Sequence, residues 1–224
     1  MKEFETSPKD NTKSEKPIGE FEGGKYQLFN IEDLPEEERL AALDAIAACQ
    51  KSSNTEFRAG AVAVAENGDK AVRHNEFEGQ KGHAEMLAVS ALYRTGAPGK
   101  FKLKLVALAG TYPTEKPSEE TPLYGPDAKL EDIDVHTVCG HCRKFISDYS
   151  RGNAIDEKGM EDTSKDVALL MVATNWKQAL RTTLRTMHPL PHRISQVPLE
   201  PLQQDAKLTT SYTKNGNTNS KGKH

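Results

Sequence analysis

Several features that mark other classes of protein are scarce in this sequence. Its 224 residues include three cysteines, one tryptophan and an aromatic content of 6%. A small, odd number of cysteines argues against a disulfide framework, so we expect a reducing, cytoplasmic environment. No apolar run reaches the roughly 20 residues that span a bilayer. The first residues also lack the apolar core of a secretory signal, and we expect neither a membrane span nor a signal peptide.

The charges are nearly balanced, with 30 basic and 33 acidic residues and a formal net charge of −3. This balance supplies no positive field to hold a phosphate backbone, so a nucleic-acid partner is disfavoured. Polar residues concentrate at both ends, and we predict disordered tails at residues 1–24 and 201–224. Residues 25–200 are predicted to form one domain. Two polar stretches inside it, about 111–135 and 150–166, are predicted insertions.

The apolar pattern between the tails predicts helices that alternate with strands. A helix is predicted after Pro35, because apolar residues recur there at helical spacing. The face predicted to be buried comprises Leu40, Leu43, Ile46 and Ala47. Two β-prone runs on either side of Asn67 and Gly68 predict a hairpin. Further strands are predicted at 103–109 and 167–173, and further helices from His83, from Cys139 and over 178–187. This alternation favours an α/β fold with a layered sheet.

Two short motifs carry the chemistry, His-Ala-Glu at residues 83–85 and Cys-Gly-His-Cys at residues 139–142. Zinc sites are normally tetrahedral, and a catalytic zinc keeps three protein ligands so that water can take the fourth position. The motifs supply one imidazole and two thiols as ligands, and one carboxylate to move protons. We therefore predict a hydrolytic Zn²⁺ centre with the ligands His83, Cys139 and Cys142, and with Glu85 as the catalytic proton shuttle.

Two further residues have side chains that can bind a metal. His141 competes as a ligand, but its position between the two cysteines turns it away from their sulfurs. Cys49 lies near the apolar face of the first predicted helix, and we interpret it as a buried core thiol.

The motifs and their flanking residues resemble those of cytidine deaminases. His-x-Glu followed by Cys-x-x-Cys is typical of zinc-dependent deaminases. Three stretches of this sequence resemble characteristic stretches of that family: Phe-Arg-Ala-Gly-Ala at 57–61, Asn-Glu-Phe at 75–77 and Cys-Gly-His-Cys-Arg-Lys-Phe at 139–145. Residues 145–149 also resemble blasticidin-S deaminases, which are relatives. The resemblance covers about residues 36–195 and leaves the tails and the insertions outside it.

This resemblance implies a fold, an activity and a partner. The implied fold is a three-layer α/β/α arrangement with a central mixed sheet of about five strands. The implied activity is zinc-dependent hydrolysis of cytidine or 2′-deoxycytidine to uridine or 2′-deoxyuridine and ammonia, a reaction of pyrimidine salvage. The implied partner is a small pyrimidine nucleoside, and the implied assembly is a homo-oligomer, either a dimer or a tetramer.

The resemblance also assigns roles to residues around the two motifs. It implies that Phe57 stacks on the pyrimidine and that Asn75 and Glu76 contact the ribose. Ala84 is implied to bind substrate. Arg143 is implied to hydrogen-bond a ligand thiolate and so to tune the metal.

Three departures from the family pattern stand beside these assignments. Val138 occupies the position before the first cysteine, where the superfamily usually has proline. Asn75 lies one residue late in the ribose-binding run, and His74 takes the place of the family's asparagine. The dimeric bacterial class carries a second, degenerate domain, for which the rest of this chain leaves little room.

Three alternatives to cytidine deamination follow from the same residues. The substrate could be a modified cytosine nucleoside such as blasticidin S, or it could be a nucleotide or a single-stranded nucleic acid. A nucleic-acid substrate needs a basic channel, which an acidic chain does not favour. The chain could instead be a non-enzymatic binding module stabilised by zinc, although a structural zinc site prefers a fourth protein ligand.

Overall fold

The structure is a computed structural model that describes residues 16–75, 82–95, 102–114, 121–150 and 166–187. These residues all lie in the first of two compact units of the chain, Met1–Pro189. The predicted tail at 201–224, residues 151–165 of the second predicted insertion, and Glu76 lie outside the described residues.

The described residues form a seven-stranded sheet with helices on both faces. The strands are β1 (Gly19–Phe21), β2 (Tyr26–Asn30), β3 (Arg58–Ala65), β4 (Lys70–His74), β5 (Leu103–Thr111), β6 (Ala168–Val172) and β7 (Gln178–Thr183). The helices are α1 (Glu36–Lys51), α2 (Ala84–Thr95), α3 (Gly140–Ser150) and α4 (Leu184–Met187), with short 3₁₀ turns at Ile31–Asp33 and Leu130–Asp132. In this part of the chain no helix has the length and apolar character that crossing a membrane requires.

The sheet is mixed, with the strand order β1-β2-β7-β6-β5-β3-β4. Strands β5 and β6 are parallel, and the other neighbouring pairs are antiparallel. The predicted hairpin is confirmed as β3 and β4, and Gly68 adopts the positive φ of 85° that its turn requires. These findings confirm the predicted α/β class with a central mixed sheet, which has seven strands rather than about five.

Alternate residues of the central strands face the two helical layers. Leu105 and Ala107 of β5 pack with Ile46 of α1 on one face. Val106 and Leu108 pack on the other face, in the cluster that contains buried residues of α2 and α3. Successive strand residues point to opposite sides, so β5 is buried on both faces and anchors the three layers.

Three strands were not predicted, and one of them replaces a predicted helix. The predicted helix over 178–187 is wrong, because residues 178–183 form β7 and only Leu184–Met187 are helical. Strand β7 pairs with β2 on one side and β6 on the other, and two ladders of hydrogen bonds override a weak helical pattern. Strand β1 lies inside the predicted 1–24 tail, so that tail extends too far. It pairs with β2 across a turn in which Gly23 and Gly24 have positive φ.

The buried face of α1 differs from the predicted one. Leu40 and Leu43 are each 44% exposed, and Ala47 is exposed as well. Apart from Ile46, the buried apolar residues of α1 are small: Ala41, Ala42, Ala45, Ala48 and Cys49. Small side chains allow close approach of the helix to β3, where a Cβ built on Gly60 would lie 2.2 Å from Ala45 O and from Cys49 N.

This contact predicts the effect of adding one methyl group. We expect Gly60→Ala to lower the free energy of unfolding by about 1–3 kcal/mol or more, because α1 must move away from the sheet. Gly125→Ala is the matched control, since a Cβ there meets nothing within 4 Å. Denaturant unfolding of both variants measures the difference, and equal stability of the two would contradict this account of the α1–β3 contact.

The first predicted insertion is partly built into the core. Thr111 ends β5, and residues 121–135, named here the 121–135 segment, lie against the sheet. Its Ile133 is buried with Leu28 of β2, Met171 of β6 and Leu180 of β7. The segment therefore covers the part of the sheet farthest from β4, and the chain passes from it directly into residues 136–142.

Candidate metal centre

His83, Cys139 and Cys142 converge at the N-terminal ends of two helices. Their ligand atoms all lie within 4.8 Å of one another, and His83 Nδ1 lies 3.5 Å from Cys139 Sγ. Cys142 is buried, Cys139 is partly buried and His83 is exposed. The structure thus brings together the three side chains predicted as ligands, from positions 56 residues apart in sequence.

Each helix begins at its motif. The backbone N–H of Leu87 donates to His83 O at 3.0 Å, so His83 immediately precedes the first turn of α2. The N–H of Arg143 likewise donates to Cys139 O at 2.9 Å, and the N–H of Cys142 donates to Cys139 Sγ at 3.4 Å. Unpaired amides and the helix dipole make such an end positive, which favours the anionic thiolate form of cysteine.

The spacing of the donor atoms fits a tetrahedral metal ion. Bonds of about 2.0 Å to nitrogen and 2.3 Å to sulfur, at a tetrahedral angle, place the two donor atoms about 3.5 Å apart. The distance between His83 Nδ1 and Cys139 Sγ has this value. One nitrogen and two sulfurs are also a donor set typical of zinc, so the residues present fit the ion predicted for them.

Burial makes Cys142 a poor thiolate in the absence of a cation. Its pKa is raised above the usual range, first by burial and then by the nearby charge of Glu85. A bound divalent cation reverses this balance, because a coordinating thiol is deprotonated outright. A divalent cation bound here would stabilise the two sulfurs and the carboxylate that lie so close together.

Glu85 lies in the first turn of α2 and is only 5% exposed. Burial raises the pKa of its carboxyl group. A backbone hydrogen bond, the neighbouring His83 and a hydrogen bond with Cys142 oppose this rise. The one buried carboxylate of α2 is thus in contact with the ligand cluster and does not point to solvent.

A cavity of about 410 Å³ opens beside the cluster. Its described lining comprises Asn54, Glu56, Phe57, Ala59, Asn75, Gly82, His83, Ala84, Glu85, Leu108, His136, Thr137 and Cys139. Two of the candidate ligands and the buried carboxylate therefore line the same cavity. A cavity of this size suits a small molecule.

Three rings form one wall of this region. Phe57 packs edge-on against His136, with ring centroids 4.7 Å apart, and against Tyr112 at 5.2 Å. The strand residue beneath them is Gly110, where a Cβ would lie 2.6 Å from Phe57 Cζ and 3.0 Å from His136 Cβ. The absence of a side chain at Gly110 lets both rings lie close to β5.

The other residues assigned by resemblance occupy different surroundings. Asn75 lines the cavity, but its side-chain amide donates to Phe57 O at 2.6 Å and accepts from Ala59 N at 2.7 Å. Ala84 is fully buried in the lining. The guanidinium of Arg143 donates through Nη1 to the main-chain oxygen of Met187 in α4. His141 is exposed, with its ring centroid 6.2 Å from that of His83.

The cavity also contains residues that the sequence did not single out. Asn54 accepts from the N–H groups of Glu56 and Phe57, and so it turns the chain into the start of β3. His136 and Thr137 reach the lining from the end of the 121–135 segment. Their position in the sequence, just before Cys139, indicates that they lie near the metal site. It does not indicate which of their side chains line the cavity.

Comparisons with known proteins give similarity at the level of solved structures. No family model matches the chain, and no curated protein matches it. A cytidine deaminase from Burkholderia pseudomallei is 16% identical, with a TM-score of 0.45 over 70% of this chain and 98% of that one. A cytidine deaminase from Mycobacterium leprae is 18% identical, with a TM-score of 0.41 over 67% and 95%. A mutant cytidine deaminase from Mycobacterium tuberculosis is 19% identical, with a TM-score of 0.35 over 51% and 78%. Similarity of this degree does not establish a family for this chain.

Proposed function

We propose that this protein is a zinc-dependent hydrolase that converts cytidine or 2′-deoxycytidine into uridine or 2′-deoxyuridine and ammonia. The observation that carries the proposal is the meeting of His83, Cys139, Cys142 and the buried Glu85 beside one cavity. The motif resemblance to cytidine deaminases gives this hydrolytic site its substrate class. The proposal includes a role in pyrimidine salvage in the cytoplasm and a homo-oligomeric assembly.

The metal chemistry requires only the three converging ligands. When bound, Zn²⁺ supplies Lewis acidity and lowers the pKa of a coordinated water toward neutrality. His83, Cys139 and Cys142 would hold the ion and leave its fourth position open toward the cavity.

Glu85 is the residue that moves protons. Its carboxylate accepts a proton from the attacking water and delivers it to N3 of the cytosine ring as the oxygen adds to C4. It then moves the proton of the new C4 hydroxyl to the amino group, which leaves as ammonia when the C4–N bond breaks and the C4 carbonyl forms. Burial raises the pKa of Glu85, so the protonated form needed between these steps is easier to reach.

The cavity lining supports a nucleoside as substrate. We propose that Phe57 contacts the pyrimidine ring, that Ala84 and Asn75 lie against the substrate, and that Glu76 contacts the ribose. The side chain of Asn75 also holds the start of β3 in place. The hydrogen bond from Arg143 to the main-chain oxygen of Met187 joins α3 to α4. It thereby holds α3, and with it Cys142, in position.

Charge in the cavity disfavours phosphorylated substrates. Glu56 and Glu85 both line it, and its described lining contains no lysine or arginine. A nucleotide or a nucleic acid would bring phosphate toward these carboxylates, and no lysine or arginine of the described lining would compensate the added charge. Modified cytosine nucleosides such as blasticidin S carry no such penalty and form the second candidate class.

A substrate panel on the purified full chain tests the proposal. The panel comprises cytidine, 2′-deoxycytidine, blasticidin S, deoxycytidine monophosphate and a cytosine-containing oligonucleotide, with ammonia release and zinc content as readouts. We expect one zinc per chain and the fastest ammonia release from a nucleoside. Zinc binding without ammonia release from any compound would favour the binding module, and turnover of the oligonucleotide alone would overturn the nucleoside assignment.

A further inference from the structure

The 121–135 segment ends immediately before the cavity wall and the first cysteine. His136 and Thr137 line the cavity, and Cys139 is four residues beyond Val135. The position of these residues therefore depends on where the segment is fixed to the rest of the fold. Within the described residues, and besides the apolar packing of Ile133, three hydrogen-bonded attachments hold the segment at or beside the turn between β6 and β7.

The first attachment is a pair of hydrogen bonds made by one side chain. Gln178, at the start of β7, is 1% exposed. Its Oε1 accepts from the N–H of Tyr124 at 2.8 Å, and its Nε2 donates to Tyr124 O at 2.9 Å. The side-chain amide thus satisfies both main-chain groups of Tyr124 as a neighbouring strand would.

The second attachment is the buried Asn175, which holds the Gln178 amide in place. Asn175 Nδ2 donates to Gln178 Oε1 at 2.9 Å and to Pro122 O at 3.3 Å. Its Oδ1 accepts from the N–H groups of Lys177 and Gln178. These bonds leave the Gln178 side chain one orientation, because reversing its amide would place like groups together.

The third attachment lies at the far end of the segment. Thr174 donates through its N–H to Asp134 O at 3.0 Å and through Oγ1 to Asp134 Oδ2 at 3.1 Å. Val135 forms an antiparallel bridge with Ala173. The N–H of Asp134 donates to Tyr124 Oη at 2.9 Å, which ties this end back to the residue held by Gln178.

We propose that Gln178 is a positioning residue for the metal centre. Gln178 holds Tyr124 on the β6–β7 turn and thereby fixes the path of the backbone that follows. This path places His136 at the cavity and Cys139 at the metal site. Gln178 is remote from the reacting atoms and acts through the 121–135 segment. The inference rests on the proposed function only for the presence of a metal.

Gln178→Met tests this role, because methionine keeps the length of the side chain and loses all of its strong hydrogen bonds. We expect the variant to bind zinc about tenfold more weakly, the lower end of the effect typical of residues that orient metal ligands. We also expect faster amide hydrogen exchange at residues 136–142. Competition with a chromogenic chelator measures the zinc affinity.

Thr182→Val is the matched control on the same strand. Thr182 is also buried, and its Oγ1 donates to Lys25 O at 2.8 Å, which ties β7 to the β1–β2 turn. We expect this variant to lose thermal stability while its zinc affinity and its exchange at 136–142 stay at the wild-type values. If Gln178→Met does not fold, Gln178→Glu keeps the acceptor for the N–H of Tyr124, loses the donor to Tyr124 O, and is judged by the same two readouts.

The outcomes separate this inference from the proposed function. If Gln178→Met kept the wild-type zinc affinity and the wild-type rate of amide exchange at 136–142, the inference would be overturned. It would also be overturned if Thr182→Val changed both quantities as much as Gln178→Met, because a general loss of stability would then explain the effect. A wild-type chain that binds zinc without deaminating any nucleoside would overturn the proposed function and leave the inference standing. If the wild-type chain bound no zinc, both the proposed function and this inference would be overturned.

Discussion

Glu85→Gln is expected to lower kcat for cytidine by about 10²–10⁴-fold, the contribution typical of general acid–base catalysis. Glutamine keeps the size of the side chain but cannot take up and return a proton. Because Glu85 is proposed to act in more than one proton transfer, we expect a loss near the upper end of this range. Zinc content is expected to stay at the wild-type level, since Glu85 is outside the ligand set.

Glu38→Gln provides a matched control for this variant. Glu38 is also a largely buried glutamate, but it lies on α1 and forms an ion pair with Arg181 at 3.0 Å. We expect Glu38→Gln to lose stability and to keep kcat close to the wild-type value. A Glu85→Gln enzyme with kcat within about tenfold of wild type would remove Glu85 from the mechanism.

Helices and strands could be predicted where the local sequence alone determines their conformation. The β3–β4 hairpin has its turn signal at Asn67 and Gly68, and β6 and residues 105–109 of β5 are uninterrupted apolar runs. Strand β7 is different, because residues 178–183 alternate only weakly and their state depends on β2 and β6 at either side. The pairing of β7 with β2 joins residues far apart in sequence, such as Gln27 and Arg181, and it is not visible in a local window.

The face of α1 could not be predicted for a related reason. Leucines at helical spacing indicate a buried stripe, but Leu40 and Leu43 are on the exposed side. The decisive residue is Gly60 on another element, which admits only the alanines of α1 at close range. Hydrophobic periodicity identifies a helix. Which of its residues are buried depends on the shape of the sheet surface against which the helix packs.

The candidate site was more predictable than the fold around it. A metal centre needs specific residue types at short spacing, and the two motifs supply these within three and four residues of sequence. Zinc geometry then requires the motifs to meet, and the structure brings their ligand atoms together. The parts that escaped prediction, His136 and its support from Gln178, depend on the path of the 121–135 segment.

Cys142→Ala is expected to abolish both zinc binding and deamination. Loss of a residue that hydrogen-bonds a metal ligand costs about 10–100-fold in metal affinity or activity, so loss of a buried ligand itself should exceed that range. Dialysis of the wild type against a chelator should give the same inactive state, and added Zn²⁺ should restore activity to the wild type but not to Cys142→Ala.

Cys49→Ala is the control that distinguishes a ligand from a buried thiol. Cys49 is fully buried on α1, and its thiol donates to Arg58 O at 3.4 Å. Burial raises its pKa to about 11, and among the described residues it is not one of the thiols that cluster with His83. We expect Cys49→Ala to retain one zinc and wild-type kcat. Zinc loss in Cys49→Ala would show that a thiol outside the proposed ligand set is needed for metal binding. Full zinc content in Cys142→Ala would show that Cys142 is not a ligand. Either result would contradict the ligand set.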